Sequence, residues 1–188
     1  MSTKILVLNG SPRLKGNTAT LSDQLAAGAT EAGAEVEIIY LHGLDIQPCD
    51  ACDACQTGGK GCVIGDDMQD IYPKLLSSDA IVIATPVYWY SVTAQMKLCL
   101  DRWYALETGQ DFGLKGKRLS LLMVYGDSDL YSSGGITVIH TLEGSCRYVG
   151  MDFEGIVHGS AMDIGDAEKD TALMDQAHQL GKELALTT

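Results

Sequence analysis

Lys4-Ile5-Leu6-Val7-Leu8-Asn9-Gly10-Ser11-Pro12-Arg13-Leu14-Lys15-Gly16-Asn17-Thr18 is the stretch on which the fold turns. The nearly unbroken apolar run from Ile5 to Leu8 is what a strand buried on both faces requires, and Gly10-Ser11-Pro12 ends it. A helical pattern follows from about Asn17, with Leu21, Leu25, Ala29 and Ala32 on one face and Gly33 as its stop. A second strand is expected at Glu35 to Tyr40.

The alternation continues to the end of the chain. Asp66-Asp67-Met68-Gln69 reads as a capped helix start, with two carboxylates at the positive end of the helix dipole, and Pro73 is expected to kink that helix. Ala80 to Ala84 is the third strand. Val92, Met96, Cys99, Trp103 and Leu106 then fall on one helical face. Leu119 to Tyr125 is the fourth strand, Ile136 to Val149 a helix, Phe153 to His158 the fifth strand, and Leu173, Ala177, Leu180 and Leu184 mark a closing helix. Five strands alternating with helices predict an α/β, doubly wound parallel sheet, read as one domain over 1–188. In such a sheet a ligand lies beyond the carboxyl ends of the strands. Three segments qualify: Gly10 to Thr18, Thr85 to Ser91, and Tyr125 to Gly135.

Composition narrows the function. At 188 residues the chain buries about 70% of its unfolded surface, so it needs neither disulfide nor metal to hold a core. A hydrophobic fraction of 46% with 21 glycines against 4 prolines argues against extended disorder. The net charge of −12 repels polyphosphate backbones and anionic membrane surfaces, so neither nucleic acid nor membrane is expected as a partner. The apolar run near the N-terminus is too short for a signal-peptide core, and no stretch is long enough to cross a bilayer. A cytoplasmic location, with reduced cysteines, is the expectation.

The Gly10 to Thr18 loop combines hydroxyls, an amide, two cations and glycines, and with a helix N-terminus behind it suits one terminal phosphate. The absence of G-x-G-x-x-G weakens a dinucleotide reading, and without Gly-Lys-Ser/Thr there is no Walker loop. An ordinary turn with a Ser or Asn helix cap is the plainer alternative. Thr85-Pro86-Val87-Tyr88-Trp89-Tyr90-Ser91 sets three aromatic rings after a central strand in a chain that is 6% aromatic. Such rings can cover a planar ring system, or else seal a subunit interface.

The only long irregular stretch, 41–65, carries Cys49-x2-Cys52-x2-Cys55-x6-Cys62. Structural zinc sites usually separate two knuckles or add histidines, so this spacing fits zinc poorly. Three thiolates at x2 intervals can reach three irons of one cubane, and a turn at Gly58, Gly59 and Gly61 lets the fourth fold back. A cluster-free loop and a redox-active dithiol remain open beside it. Against the dithiol, Lys60 is the only cation between Cys49 and Cys62, facing Asp50 and Asp53.

The chain resembles the flavodoxin-fold NAD(P)H-dependent FMN reductase family, and within it the iron-sulfur flavoproteins. The resemblance is carried by Gly-Ser-Pro-Arg-x-x-Gly-Asn-Thr at 10–18 and Pro-Val-Tyr-Trp-Tyr-Ser at 86–91, with support from Asp66-Asp67-Met68 and Lys97-x-x-x-Asp101-Arg102. It implies a five-stranded sheet in the order 2-1-3-4-5. It further implies FMN, with its phosphate on Ser11, Arg13, Asn17 and Thr18, Gly16 shaping the loop, and Pro86, Val87, Tyr88, Trp89 and Tyr90 along the isoalloxazine. Tyr125, Gly126 and Asp127 are weaker candidates, and Asp127 could simply cap the next segment. Cys49, Cys52, Cys55 and Cys62 become the ligands of one 4Fe-4S cluster, as the resemblance to the iron-sulfur branch also implies.

The flavin carries the hard chemistry in such a protein, so no catalytic side chain is named. An FMN-dependent oxidoreductase drawing on NAD(P)H is the leading reading. With a cluster it exchanges electrons with a ferredoxin-type carrier; without one it reduces a quinone, a free flavin or another small acceptor. A flavodoxin-like carrier with no substrate of its own is the rival reading. The exposed aromatic loop and the helix from Val92 predict a homodimer or homotetramer. Cys99 and Cys146 read as buried fillers, and His158 as a satisfied structural histidine. Lys97, Asp101 and Arg102 read as interface or capping residues.

Overall fold

The computed structural model describes residues 2–57, 61–108 and 111–186. The first half of the chain runs β1 (Lys4–Asn9), α1 (Asn17–Glu31), β2 (Glu35–Tyr40), α2 (Ala54–Thr57), α3 (Met68–Ser77) and β3 (Ala80–Pro86). It continues with α4 (Ala94–Asp101), a 3-10 turn (Arg102–Leu106), β4 (Glu107–Thr108), β5 (Asp111–Phe112), β6 (Arg118–Tyr125), α5 (Gly135–Val149), β7 (Asp152–Ser160), α6 (Asp166–Lys169) and α7 (Thr171–Ala185). The main sheet is parallel, in the order β2-β1-β3-β6-β7, which is 2-1-3-4-5 once the small β4-β5 hairpin is set aside. No helix among the described residues is long and apolar enough to cross a membrane.

Alternation along the strands explains why they read as continuous apolar runs. Leu6, Leu8, Ile81, Ile83, Leu119 and Leu121 face α3, α4 and α5, while Ile5, Val7, Ala80, Val82, Ala84 and Leu122 face α1 and α7. Both faces are therefore covered, as a parallel sheet demands. The second layer is unusually tight. A Cβ on Gly28 of α1 would lie 2.0 Å from the His178 carbonyl oxygen, and one on Gly181 of α7 would lie 2.0 Å from the Leu25 carbonyl oxygen. The two helices thus meet backbone to backbone, and α7 fixes the axis of the helix whose N-terminus borders the first loop.

Several expectations need correction. The helix expected from Val92 is shorter: Thr93 caps it by accepting from the Met96 N–H, and it tightens to a 3-10 turn at Arg102. The β4-β5 hairpin left no alternating pattern long enough to see. Pro73 lies inside α3, which extends to Ser77 beyond it. Asp66 and Asp67 do more than complement the helix dipole. Asp66 accepts from the Gln47 N–H at 2.8 Å and the Met68 N–H at 3.1 Å, and Asp67 accepts from the Asp45 N–H at 2.7 Å. Together they close the cysteine-bearing loop onto the start of α3.

Candidate functional site

Four strand ends converge on one cleft of about 400 Å³, within the range of small-molecule sites. The loop after β1 contributes Ser11, Arg13, Gly16, Asn17 and Thr18, the exit of β3 contributes Pro86, Val87, Tyr88 and Trp89, and the exit of β6 contributes Tyr125 and Gly126. Val124, Ala161 and Met162 complete the walls. Tyr90 and Asp127 do not line it. Tyr90 packs where a Cβ on Gly134 would strike it, and Asp127 accepts from the Ser128 N–H at 2.7 Å.

The first loop is held from beneath. Gly10 donates to the Ala84 carbonyl at 2.8 Å and accepts from the Thr93 hydroxyl at 2.7 Å. The Asn9 amide accepts from the Ser11 N–H at 2.9 Å and donates to Ser22 at 3.1 Å. Gly16, not a Ser or Asn, occupies the N-cap of α1, and no side chain caps the helix. Because the Thr20 N–H is the first to find the Gly16 carbonyl, the N–H groups of Asn17, Thr18 and Ala19 have no intrahelical acceptor. An open helix N-terminus beside the Ser11 hydroxyl and exposed Arg13 offers the donors that an anion requires.

Asn17 takes a different part from the one expected of it. Its amide nitrogen donates to the carbonyls of Ala161 and Asp163 at 3.1 and 2.8 Å, and its oxygen accepts from the N–H groups of Gly165 and Ala167 at 3.1 and 3.2 Å. The side chain is fully used in clasping the loop after β7, so its own N–H is what it can offer a ligand. The sequence signal missed here was the loop after the fifth strand, which also delivers Met162.

The aromatic turn is strained. Tyr88 and Ser91 exchange backbone hydrogen bonds at 2.9 and 3.1 Å around Trp89 and Tyr90, whose φ angles are 47° and 61°. That is a two-residue turn of the kind usually built from Asn-Gly, here made from two bulky aromatics. Trp89 is 97% exposed, so packing within the chain does not repay the strain. At the cleft floor the Tyr125 hydroxyl meets His158 Nδ1 at 2.9 Å. Burial pulls the His158 ring below the usual imidazole range.

A second site forms under the 41–65 loop. Cys49, Cys52, Cys55 and Cys62 line one small cavity with Asp50, Asp53, Asp101, Arg102 and Tyr104. All four thiols are free. Gly58, Gly59 and Lys60, the expected turn and cation, lie outside the described residues. Ala51 and Asp53, between the cysteines, hold φ values of 56° and 53°. Left-handed backbone at non-glycine residues costs about 1–2 kcal/mol each and is typical of ligand-holding loops. Among the described residues no three Cys, His, Asp or Glu side chains gather closely enough for a single metal ion. Four thiols lining one cavity are the donor set that a cubane takes, one cysteine to each iron. The Ala54 N–H draws the Cys52 thiol down, but the Asp50 carboxylate and burial together leave it above the ordinary range, which disfavours a reactive dithiol.

Arg102 needs the plainest correction. Its backbone does cap α4, donating to the Cys99 and Leu100 carbonyls, but its side chain turns inward: it is 2% exposed, forms a bidentate ion pair with Asp66 and reaches Cys62 Sγ at 3.3 Å. A cation therefore does stand beside the cysteines, supplied from 40 residues downstream of Cys62. Lys97 and Asp101 form an ordinary surface pair at 2.5 Å. Cys99 and Cys146 are buried, their thiols pushed up to about 12 and about 11 by desolvation.

Comparison with known proteins agrees with this geometry. An iron-sulfur flavoprotein of Methanocaldococcus jannaschii is 32% identical over 97% of this chain and 95% of its own length. A Bacillus subtilis protein named as an NAD(P)H-dependent FMN-containing oxidoreductase is 29% identical over 95% of this chain and 97% of its own. The structure of an NAD(P)H:quinone oxidoreductase from Methanothermobacter marburgensis superposes with a TM-score of 0.79 at 18% identity, covering 100% of this chain and 98% of that one, a likeness of fold. The sequence model of the NADPH-dependent FMN reductase family matches residues 3–151, a span that takes in the anion loop, the aromatic turn and all four clustered cysteines, and the chain belongs to that family.

Proposed function

We propose that the chain is an FMN-dependent NAD(P)H oxidoreductase whose 41–65 loop carries a 4Fe-4S cluster. The observation that carries the first part is the pairing, across one cleft, of an uncapped helix N-terminus with an aromatic turn. FMN has one anionic tail and one flat ring system, and the two walls answer those two ends. In this reading the Ser11 hydroxyl, the Arg13 guanidinium and the N–H groups of Asn17 and Thr18 hold the phosphate. Pro86, Val87, Tyr88 and Trp89 shelter the ring, with Tyr125 and Gly126 at the floor. Gly16 keeps the loop close, since a Cβ there would lie 2.9 Å from Arg13 Cβ.

When bound, FMN supplies both hydride acceptance and single-electron transfer, and the cluster would supply single electrons only. The chain's residues bind, orient and exclude water around both groups. A small acceptor or an electron carrier completes the exchange. A second copy is proposed to cover Trp89, because an exposed tryptophan flanked by Tyr88 and Tyr90 makes an apolar patch that favours association.

Anaerobic purification followed by an absorbance spectrum, FMN and iron assays and steady-state NAD(P)H oxidation tests the reading. About one FMN and four irons per chain with NAD(P)H turnover is the expected result. Colourless protein that takes up no FMN at micromolar concentration refutes it. Flavin without iron removes the cluster alone, and a loaded protein inert toward NAD(P)H is a carrier.

A further inference from the structure

Among the described residues Arg102 is the largest side chain that the fold buries completely. Burying a guanidinium costs several kcal/mol unless its donors are met. Nη1 donates to the Gln47 carbonyl at 2.8 Å and to Asp66, and Nη2 donates to Asp66 at 3.1 Å and to Cys62 Sγ at 3.3 Å. The Nε–H is buried with no partner among the described residues. Asp66 is in turn braced by the N–H groups of Gln47 and Met68, so the pair is rigid. The ion pair with Asp66 is complete without the thiol contact, which is the additional interaction.

The surroundings give the thiol contact a use. The cavity that Arg102 lines also carries four cysteines, Asp50, Asp53 and Asp101, and among the described residues Arg102 is its one cation. Charge and hydrogen bonds to sulfur set the potential of an iron-sulfur centre. We propose that Arg102 is a positioning and tuning residue of the four-cysteine centre: through Nη2 it fixes Cys62, and by donating to that sulfur it favours the reduced state of the group held there. Adding one electron adds one negative charge, which the Nη2–H donor at the Cys62 sulfur stabilises without uptake of a proton, Asp66 having already neutralised the guanidinium's net charge. This inference rests on the cluster reading above.

The test uses FMN-loaded protein reconstituted anaerobically with Fe(II) and sulfide, then titrated with dithionite. Electron paramagnetic resonance follows the cluster and absorbance follows the flavin. The double variant Arg102→Gln/Asp66→Asn removes the guanidinium donor to Cys62 without stranding a buried carboxylate and without changing the net charge. Its reduced-to-oxidised cluster ratio at fixed potential should fall about tenfold, equivalent to about 59 mV for one electron, while the FMN couple and FMN content stay put. Arg102→Lys, which keeps charge but not the fork, should fall less, and Asp66→Asn alone should not fall. A variant that keeps FMN but no longer holds iron also supports the role, through Cys62. A double variant that is loaded and titrates with the wild type overturns it. A wild-type chain that takes up no iron overturns the cluster reading instead, and this inference with it. If Arg102→Lys does not fold, the double variant alone decides.

Discussion

Replacing Gly181 with Ala should destabilise the protein, although the residue lies inside a helix where Ala is the better former. The new Cβ would stand 2.0 Å from the Leu25 carbonyl oxygen and 2.8 Å from the Ala29 nitrogen, well inside the 3.0 Å that real Cβ contacts respect. Both obstacles are backbone, so no rotamer can relieve the clash. α7 must lift off α1 by about 1 Å, loosening Leu173, Ala177, Leu180 and Leu184 from Leu21, Leu25 and Ala29. Overpacking of this kind costs about 3 kcal/mol at the upper end of its usual range, and helix propensity returns about 1, leaving a net loss of about 2 kcal/mol. For a chain of this length the melting temperature should fall by about 4–8 °C. Urea unfolding of FMN-free protein followed by circular dichroism measures it without linkage to ligand. Gly144→Ala in α5, where nothing lies within 4 Å, is the control and should gain about 0.5–1 kcal/mol. Gly181→Ala with stability equal to or above the parent would refute the backbone-contact reasoning.

Asn17→Ala removes four side-chain hydrogen bonds and should cost about 2–4 kcal/mol, with amide exchange accelerated at Gly165 and Ala167 but not in β2. Trp89→Asn relieves a left-handed tryptophan that packs on nothing within the chain, so the FMN-free monomer should gain about 1 kcal/mol while FMN affinity drops; a lower melting temperature would show that the ring contributes to folding. Burial holds His158 below its unfolded pKa, so the unfolded state takes the proton first: stability present above about pH 6.5 should decline as pH falls through the folded-state value, and His158→Gln should flatten that window in urea titrations. Burial pushes Asp66 up, yet the Arg102 ion pair and the Gln47 and Met68 N–H groups outweigh it. Its contribution, complete above about pH 3.9, should therefore be lost in more acidic solution, an effect that Asp66→Asn abolishes.

The sheet and the cleft loops were legible because they depend on local pattern. Ile5 to Leu8 and Ala80 to Ala84 announce strands covered on both sides, and a ligand cleft must follow their carboxyl ends whatever else the chain does. Arg102 was not legible. Its partner Asp66 stands 36 residues away and Cys62 stands 40 away, so spacing places it on a helix end and nothing local says that the helix tightens there and turns it inward. Asn17 has the same difficulty in stronger form, since its acceptors lie 144 and 146 residues on. Trp89 and Tyr90 were visible as aromatics, but residue type argued against the left-handed turn they adopt, and Tyr90 accordingly leaves the cleft. The hairpin at 107–112 is too short for any periodicity to register.

The Asn17 clasp has a consequence for the order of events during synthesis. The first loop is made well before its amide anchors, Ala161 to Ala167, which follow Asn17 by 144 to 150 residues. Nascent chains should therefore hold the first loop unanchored until this later segment has been made, and any premature stop upstream of it would yield a product whose first loop is exposed to proteolysis however well its early strands pair.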